Sequence, residues 1–184
     1  DCFGDDDEFS RDHDWGPDFC IWVTEEVYAK AGPALEKAYE NLPKEFKGYQ
    51  CTRSARGRGR RGVITIPDFY RRFVQASRWD EIDWRQVQDA ALAAAANGEV
   101  FRDEEGVFTA FREKLQEGYP ASIRLLKIAE GMARFSQCGQ YNCFRMWERK
   151  DAMTAQMMLW DAIKEAMKLQ HYIENRYPPH DKWL

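Results

Sequence analysis

The sequence predicts an α+β protein, with a small mixed sheet and its helices first and a C-terminal helical bundle after them. Three observations carry that expectation. Strand-like runs are few, short and confined to the first hundred residues, with 19–23 and 62–66 the clearest. From Val107 onward, apolar residues recur every three or four positions instead. The chain has 184 residues, 44% of them apolar and 14% aromatic, enough to bury roughly 70% of the surface its unfolded form would expose. The expected division is an α/β domain over 1–105 and a helical domain over 106–184.

Taken in order, Phe19, Cys20, Ile21, Trp22 and Val23 form an apolar run that reads as a central strand. Thr24 then caps a helix whose first turn holds Glu25 and Glu26, where the helix dipole favours negative charge. Gly32-Pro33 interrupts this segment, and one kinked helix or two helices fit equally. Residues 52–62 carry five arginines and three glycines with nothing to bury, so they read as a loop. That loop is either a cationic flap over an anionic ligand, such as a triphosphate or an RNA backbone, or a solvated hairpin loop offsetting the acidic N-terminal stretch. Val63, Ile64 and Ile66 mark the second strand, and Pro67 starts a helix through Phe73. An acidic connection spans 79–84. A short helix over 87–96 ends at Asn97-Gly98, and 99–102 reads as a short edge strand.

Beyond it, Phe108, Phe111 and Leu115 recur at helical spacing. Pro120 opens a helix with Ile123, Leu126, Ile128, Met132 and Phe135 on its apolar side. A third helix is expected from near Gly139, with Tyr141, Phe144 and Trp147. A fourth runs from an Asp151 cap to about Arg176, with Met153, Met157, Trp160, Ile163, Met167 and Tyr172 as its apolar set. Four antiparallel helices joined by short connections make a bundle, and the methionine and aromatic stripe reads as its core, with no cofactor role. The tail from Tyr177 to Leu184 is stiffened by Pro178 and Pro179. It reads as docked, either filling a groove or bordering a site.

A net charge of −4 gives no global case for nucleic acid or membrane binding. No run approaches the ~20 apolar residues of a membrane span. No basic segment followed by an apolar one opens the chain, which argues against secretion. Cys2, Cys20, Cys51, Cys138 and Cys143 are odd in number and scattered, and His13, His171 and His180 fall in no zinc-ligand spacing. Reduced thiols in a cytoplasmic protein are expected.

The chemistry concentrates near the start. Asp5, Asp6, Asp7, Glu8, Asp12 and Asp14 crowd ten positions and would repel one another without a cation or basic partners. Asp12 and Asp14 stand two apart just before the apolar run, and side chains at i and i+2 share one face of a strand. Both carboxylates could then grip one hard divalent cation. Mg2+ prefers such oxygen ligands and keeps waters or substrate phosphates as well.

The segment Cys2-Phe3-Gly4, the acidic run, and then Ser10-Arg11-Asp12-His13-Asp14-Trp15-Gly16 together resemble the active-site signature of the DNA polymerase beta-like nucleotidyltransferase superfamily. More closely, the chain resembles a bacterial family in which such a domain precedes a helical C-terminal domain of unknown function. Ser10 to Pro17, the strand-to-helix segment 62–73, and the ending Arg176-Tyr177…Lys182-Trp183 carry that likeness over nearly the whole chain.

The resemblance implies a Mg2+-dependent nucleotidyltransferase. It would move a nucleoside monophosphate from an NTP co-substrate to a hydroxyl of a small molecule or protein. Asp12 and Asp14 would be the catalytic and metal-binding pair, holding two ions. Ser10, Tyr177 and Lys182 would contribute to nucleotide binding, and His13 would be structural. The superfamily's Gly-Ser turn would lie before Asp1, so the chain is expected to begin inside the motif, as a truncated form. A third carboxylate belongs near Ile64 to Ile66, where Thr65 stands, with Asp68 nearest. The alternatives are a catalytically degenerate nucleotide- and metal-binding module, an antitoxin-like partner protein, and a purely structural protein in which residues 5–14 are a solvated acidic loop.

Overall fold

The computed structural model describes residues 16–51 and 61–184. Ser10, Asp12 and Asp14, and the arginines from Arg53 to Arg60, lie outside the described residues. The chain is an α+β protein that divides into two compact units. One comprises the residues up to 83 together with 97–113, and the other comprises 84–96 together with 114–184.

In the first unit, β1 (Cys20–Val23) pairs in parallel with β4 (Gly62–Thr65), in the register Cys20↔Gly62 through Val23↔Thr65. Parallel strands need a crossover between them, and α1 (Glu25–Glu40) lies in that connection. Thr24 caps α1 as expected, accepting from the Val27 amide at 3.3 Å, and Pro33 sits inside one continuous helix. The same connection holds a hairpin absent from the sequence reading, β2 (Glu45–Phe46) and β3 (Tyr49–Gln50). Its two-residue turn, Lys47-Gly48, has positive φ at both positions, the twist that suits a tight hairpin. Two-residue strands are too short to leave an alternation in the sequence.

Among the described residues β1 is paired on one side only, and its side chains are half-buried rather than central. Its apolar character serves an aromatic cluster instead. Trp22 stacks on Phe108 with ring centroids 4.1 Å apart and meets Phe69 edge-on at 5.1 Å. Phe69 and Tyr70 come from α2 (Ile66–Val74), and Phe108 and Phe111 from the start of α4 (Val107–Gln116), which follows the α3 helix (Asp89–Ala96) of the second unit in sequence. Tyr70 is fully buried, stacks on Phe111 at 3.6 Å, and donates its hydroxyl to the Phe108 carbonyl at 3.0 Å. The expected edge strand at 99–102 does not form. There, Asp103 accepts from the Gly106 amide at 3.0 Å and the Thr109 amide at 2.8 Å. A side chain that satisfies the orphan donors of a helix start favours a loop over a strand.

The second unit is helical. Its α5 (Ala121–Phe135) does not stop near Gly139. It continues through a π-helical segment (Ser136–Cys143) into α6 (Phe144–Glu148), so the expected third helix is an extension of the second. A Cβ on Gly139 would lie 3.1 Å from the Ala162 Cβ. The glycine marks a close approach to α7 (Ala152–Ile173), not a helix boundary. Asp151 caps α7 as expected, accepting from the Thr154 amide at 3.1 Å. Arg134 pairs with Glu165 at 3.0 Å, tying α5 to α7.

The helical stripe expected as core is the largest departure. On α7 the buried side chains are Ala155, Ala162, Leu169 and Tyr172, while Met153, Met157, Trp160, Ile163 and Met167 are exposed. Small residues let α7 sit close to α5 and the π segment. The large ones point away because that close contact leaves them no room.

Candidate functional site

Asp18 stands four residues after Asp14, the end of the acidic stretch, and its carboxylate anchors the entrance to β1. It accepts from the Phe19 amide at 2.9 Å, from the Tyr39 hydroxyl, and from Arg61 at 3.0 Å. The Tyr39 hydroxyl also lies 2.9 Å from the Phe19 carbonyl. Burial by itself would push the Asp18 carboxyl up. The hydrogen bonds from Tyr39, the Phe19 amide and Arg61, with the Arg61 charge, outweigh it and hold the group below its ordinary value. Burial raises the neighbouring Cys20 thiol, and the Asp18 charge adds to the effect.

Gly16 has φ +122, and a Cβ there would fall 2.4 Å from the Gln50 carbonyl oxygen. No side chain fits between these two passes of backbone. The Cys51 thiol donates to the Pro17 carbonyl at 2.7 Å. Three stretches of described chain therefore converge at the start of the β1–β4 pair. Residues 16–18 come out of the acidic stretch, 50–51 lead into the arginine-rich stretch, and 61–62 come out of it. Parallel pairing is the cause, since two parallel strands begin at the same edge.

The Asp18–Arg61 pair is shielded, with side chains 11% and 19% exposed. Arg61→Leu is expected to cost about 1.5–3 kcal/mol, the range for hydrogen bonds to charged groups. Because the folded carboxyl is depressed, that stability is present above the unfolded value near ~3.9 and is lost as pH falls through the lower folded value. Urea unfolding at pH 7 and at pH 3 measures it. A gap between wild type and Arg61→Leu that grows toward low pH would contradict the assignment.

Thr65, where the resemblance asks for a third carboxylate, is buried. It caps α2, its hydroxyl accepting from the Asp68 amide at 3.2 Å. Asp68 lies one turn on and pairs with Arg71 at 2.6 Å on an exposed face. Among the described residues no group of three or more His, Cys, Asp and Glu is placed to hold a metal ion.

In the second unit, the tail docks. The Tyr177 hydroxyl donates to the Leu115 carbonyl at 2.6 Å, its ring meets Tyr119 edge-on at 4.7 Å, and Pro178 is fully buried. Burial pushes the Tyr177 phenol up. Lys182 lies over the Trp183 ring at 4.8 Å, and Asp181 pairs with Lys164 at 3.2 Å.

Behind the tail is a charged centre that sequence reading missed. Asp89, in the first turn of α3, accepts from Tyr119, Tyr172 and Lys127, each at 2.6 Å. Lys127 in turn lies over the rings of Tyr119 (5.2 Å) and Tyr172 (5.7 Å). Burial would raise the Asp89 carboxyl, but these three hydrogen bonds and the Lys127 charge hold it below its ordinary value. Its partners are 30, 38 and 83 residues away, so no local spacing signals the cluster. The only sequence signal is an acid placed to open a helix.

These features define an α+β protein whose second unit is a helical domain closed by its own tail. Residues 84–184 match the family described as "Domain of unknown function (DUF4037)", and the chain belongs to that family. No curated protein and no solved structure matches it. No helix among the described residues is long and apolar enough to cross a membrane.

Proposed function

We propose that the chain is a Mg2+-dependent nucleotidyltransferase of the polymerase beta-like type, acting on a hydroxyl of a small molecule or a protein in the cytoplasm. One observation carries the reading. The described flanks of the acidic and arginine-rich stretches meet at one edge of the β1–β4 pair, joined by Asp18 and Arg61. An acidic pair and a cluster of arginines whose described flanks share one edge suit a polyphosphate that reaches the protein with its metal.

The donor set fits that group: the carboxylates of Asp12 and Asp14 are hard oxygen ligands of the kind Mg2+ takes. When bound, the ions neutralise the triphosphate and lower the pKa of the attacking hydroxyl. The chain's own part is placement. Asp12 and Asp14 bind on the acidic side, and the arginines of 53–60 counter the phosphate charge. Asp18 and Arg61 fix where both stretches leave the sheet, and Ser10 is a further proposed nucleotide contact on the acidic side. Thr65 favours a second reading, a nucleotide- and metal-binding module without turnover, because a helix cap stands at the third-carboxylate position.

Titration calorimetry with ATP in the presence of Mn2+ tests the proposal. Binding is expected in wild type, with the metal held markedly better when nucleotide is present, since two carboxylates alone hold such ions poorly. It should be lost in the Asp12→Ala/Asp14→Ala double variant. Equal Mn2+ and nucleotide binding in the two proteins would refute it.

A further inference from the structure

The outward face of α7 is not a random scatter of apolar residues. Met153, Met157, Trp160, Lys164 and Met167 follow one another at spacings of four, three, four and three, the a/d rhythm of a coiled-coil seam. Met153 is 71% exposed, Trp160 66% and Met157 57%. A helix with apolar residues on its inner and outer faces alike belongs in a buried position. The strip is of the order of 500 Å2, within the roughly 300–600 Å2 range of the largest, often functional patches on single chains. Trp147 and Phe144, on the α6 helix just before it, are likewise 65% and 60% exposed.

The seam is also self-complementary. Laid antiparallel on a copy of itself about Ala162, it sets Met157 against Met167, Trp160 against Lys164, and Met153 against His171, the next position in the rhythm. Ala162 is within one residue of the midpoint of the 22-residue helix, so the match extends over nearly its full length of roughly 33 Å. The one charged seam residue, Lys164, which within its own chain pairs with Asp181 at 3.2 Å, then also faces the Trp160 ring of the other copy beside that copy's exposed Asp161. A cation over an indole next to a carboxylate is a favourable environment, and it occurs twice in a two-fold pair. A lone lysine at such a position fixes register and number of helices, at some cost in stability.

We infer that α7 pairs antiparallel with α7 of a second copy of this chain, forming a two-fold symmetric dimer through the Met153–Met157–Trp160–Lys164–Met167 seam. Each copy then uses the same surface, as two-fold interfaces require. The small inner residues hold α7 to its own unit, and the large outer ones to the other copy.

Light scattering coupled to size exclusion on the full chain tests this. The expected mass is twice 21.6 kDa. Trp160→Glu is expected to weaken self-association by about thirty-fold or more, as loss of a central aromatic anchor does, with an unchanged circular dichroism spectrum because the residue is exposed in its own unit. Register is tested by charge exchange. In an Asp181→Asn background, which removes the partner Lys164 has within its own chain, Asp161→Lys and Lys164→Asp should each weaken the dimer, and the two together should restore it. A chain that stays at a single-copy mass at tens of micromolar overturns the inference, because the face is then covered in some other way. A dimer indifferent to Trp160→Glu, or a double exchange that fails to restore association, overturns it as well.

Discussion

Asp89→Ala is expected to lower stability by about 3–5 kcal/mol, the cost of breaking a buried pair by removing one partner. The substitution leaves the Lys127 ammonium without its carboxylate and strips two tyrosine hydroxyls of their shared acceptor. Asp89 and Lys127 are only 21% and 18% exposed, so water cannot fully take over. The cluster joins α3, α5 and α7 with Tyr119 of the connection between α4 and α5, and its loss loosens all of them together. Urea unfolding of the full chain, followed by tryptophan fluorescence, measures the change, and a loss below 1 kcal/mol would contradict the account. Replacing the pair by apolar residues, as in Asp89→Leu/Lys127→Met, should cost less than Asp89→Ala, since no unpaired charge remains. The pH dependence has a definite sign. The folded Asp89 carboxyl is depressed, so its contribution is present above the unfolded value near ~3.9 and disappears as pH falls through the lower folded value.

If the chain has the proposed nucleotidyltransferase activity, Asp14→Asn is expected to reduce it by ~100-fold or more, ~3 kcal/mol of transition-state stabilisation, without destabilising the metal-free protein. Two carboxylates that exist to share a cation repel when the cation is absent, which raises the pKa of one and costs folding free energy near neutral pH. The amide keeps the shape and removes the repulsion. In EDTA, therefore, Asp14→Asn should melt at the wild-type temperature or slightly above it. A structural role, such as capping or pairing with the arginines of 53–61, has the opposite sign: about 1 kcal/mol or more lost with a charged hydrogen bond. A clear fall in melting temperature in EDTA would count against the catalytic reading of Asp12 and Asp14.

By itself the sequence was enough for the class and for the elements whose signals are local. Thr24 and Asp151 cap the helices they were expected to cap, and β1 and β4 stand where β-branched and aromatic runs put them. Pro67 falls in the first turn of α2. Each depends on contacts within a few residues, and such contacts leave a pattern in the chain. The acidic pair and the arginine-rich stretch were visible as compositions, but nothing in either showed that their flanks meet. That took the parallel register of Cys20 with Gly62, a pairing across more than forty residues.

The tertiary structure alone decided which apolar residues are core. The stripe through Met153, Met157, Trp160 and Met167 has ideal helical spacing, yet the unit packs on Ala155, Ala162 and Leu169 of the opposite face. Periodicity reports that a helix has an apolar face. It carries no information about which surface, in this chain or in a second copy, that face meets. Gly139 shows the same limit: its lack of a side chain reads locally as a break, and only the close approach of α7, where a Cβ on Gly139 would lie 3.1 Å from the Ala162 Cβ, explains it as a contact. Asp89 had no readable signal beyond that of an acid opening a helix, because what makes it a centre is three partners brought from 30, 38 and 83 positions away, and burial that turns ordinary polar side chains into a linked set.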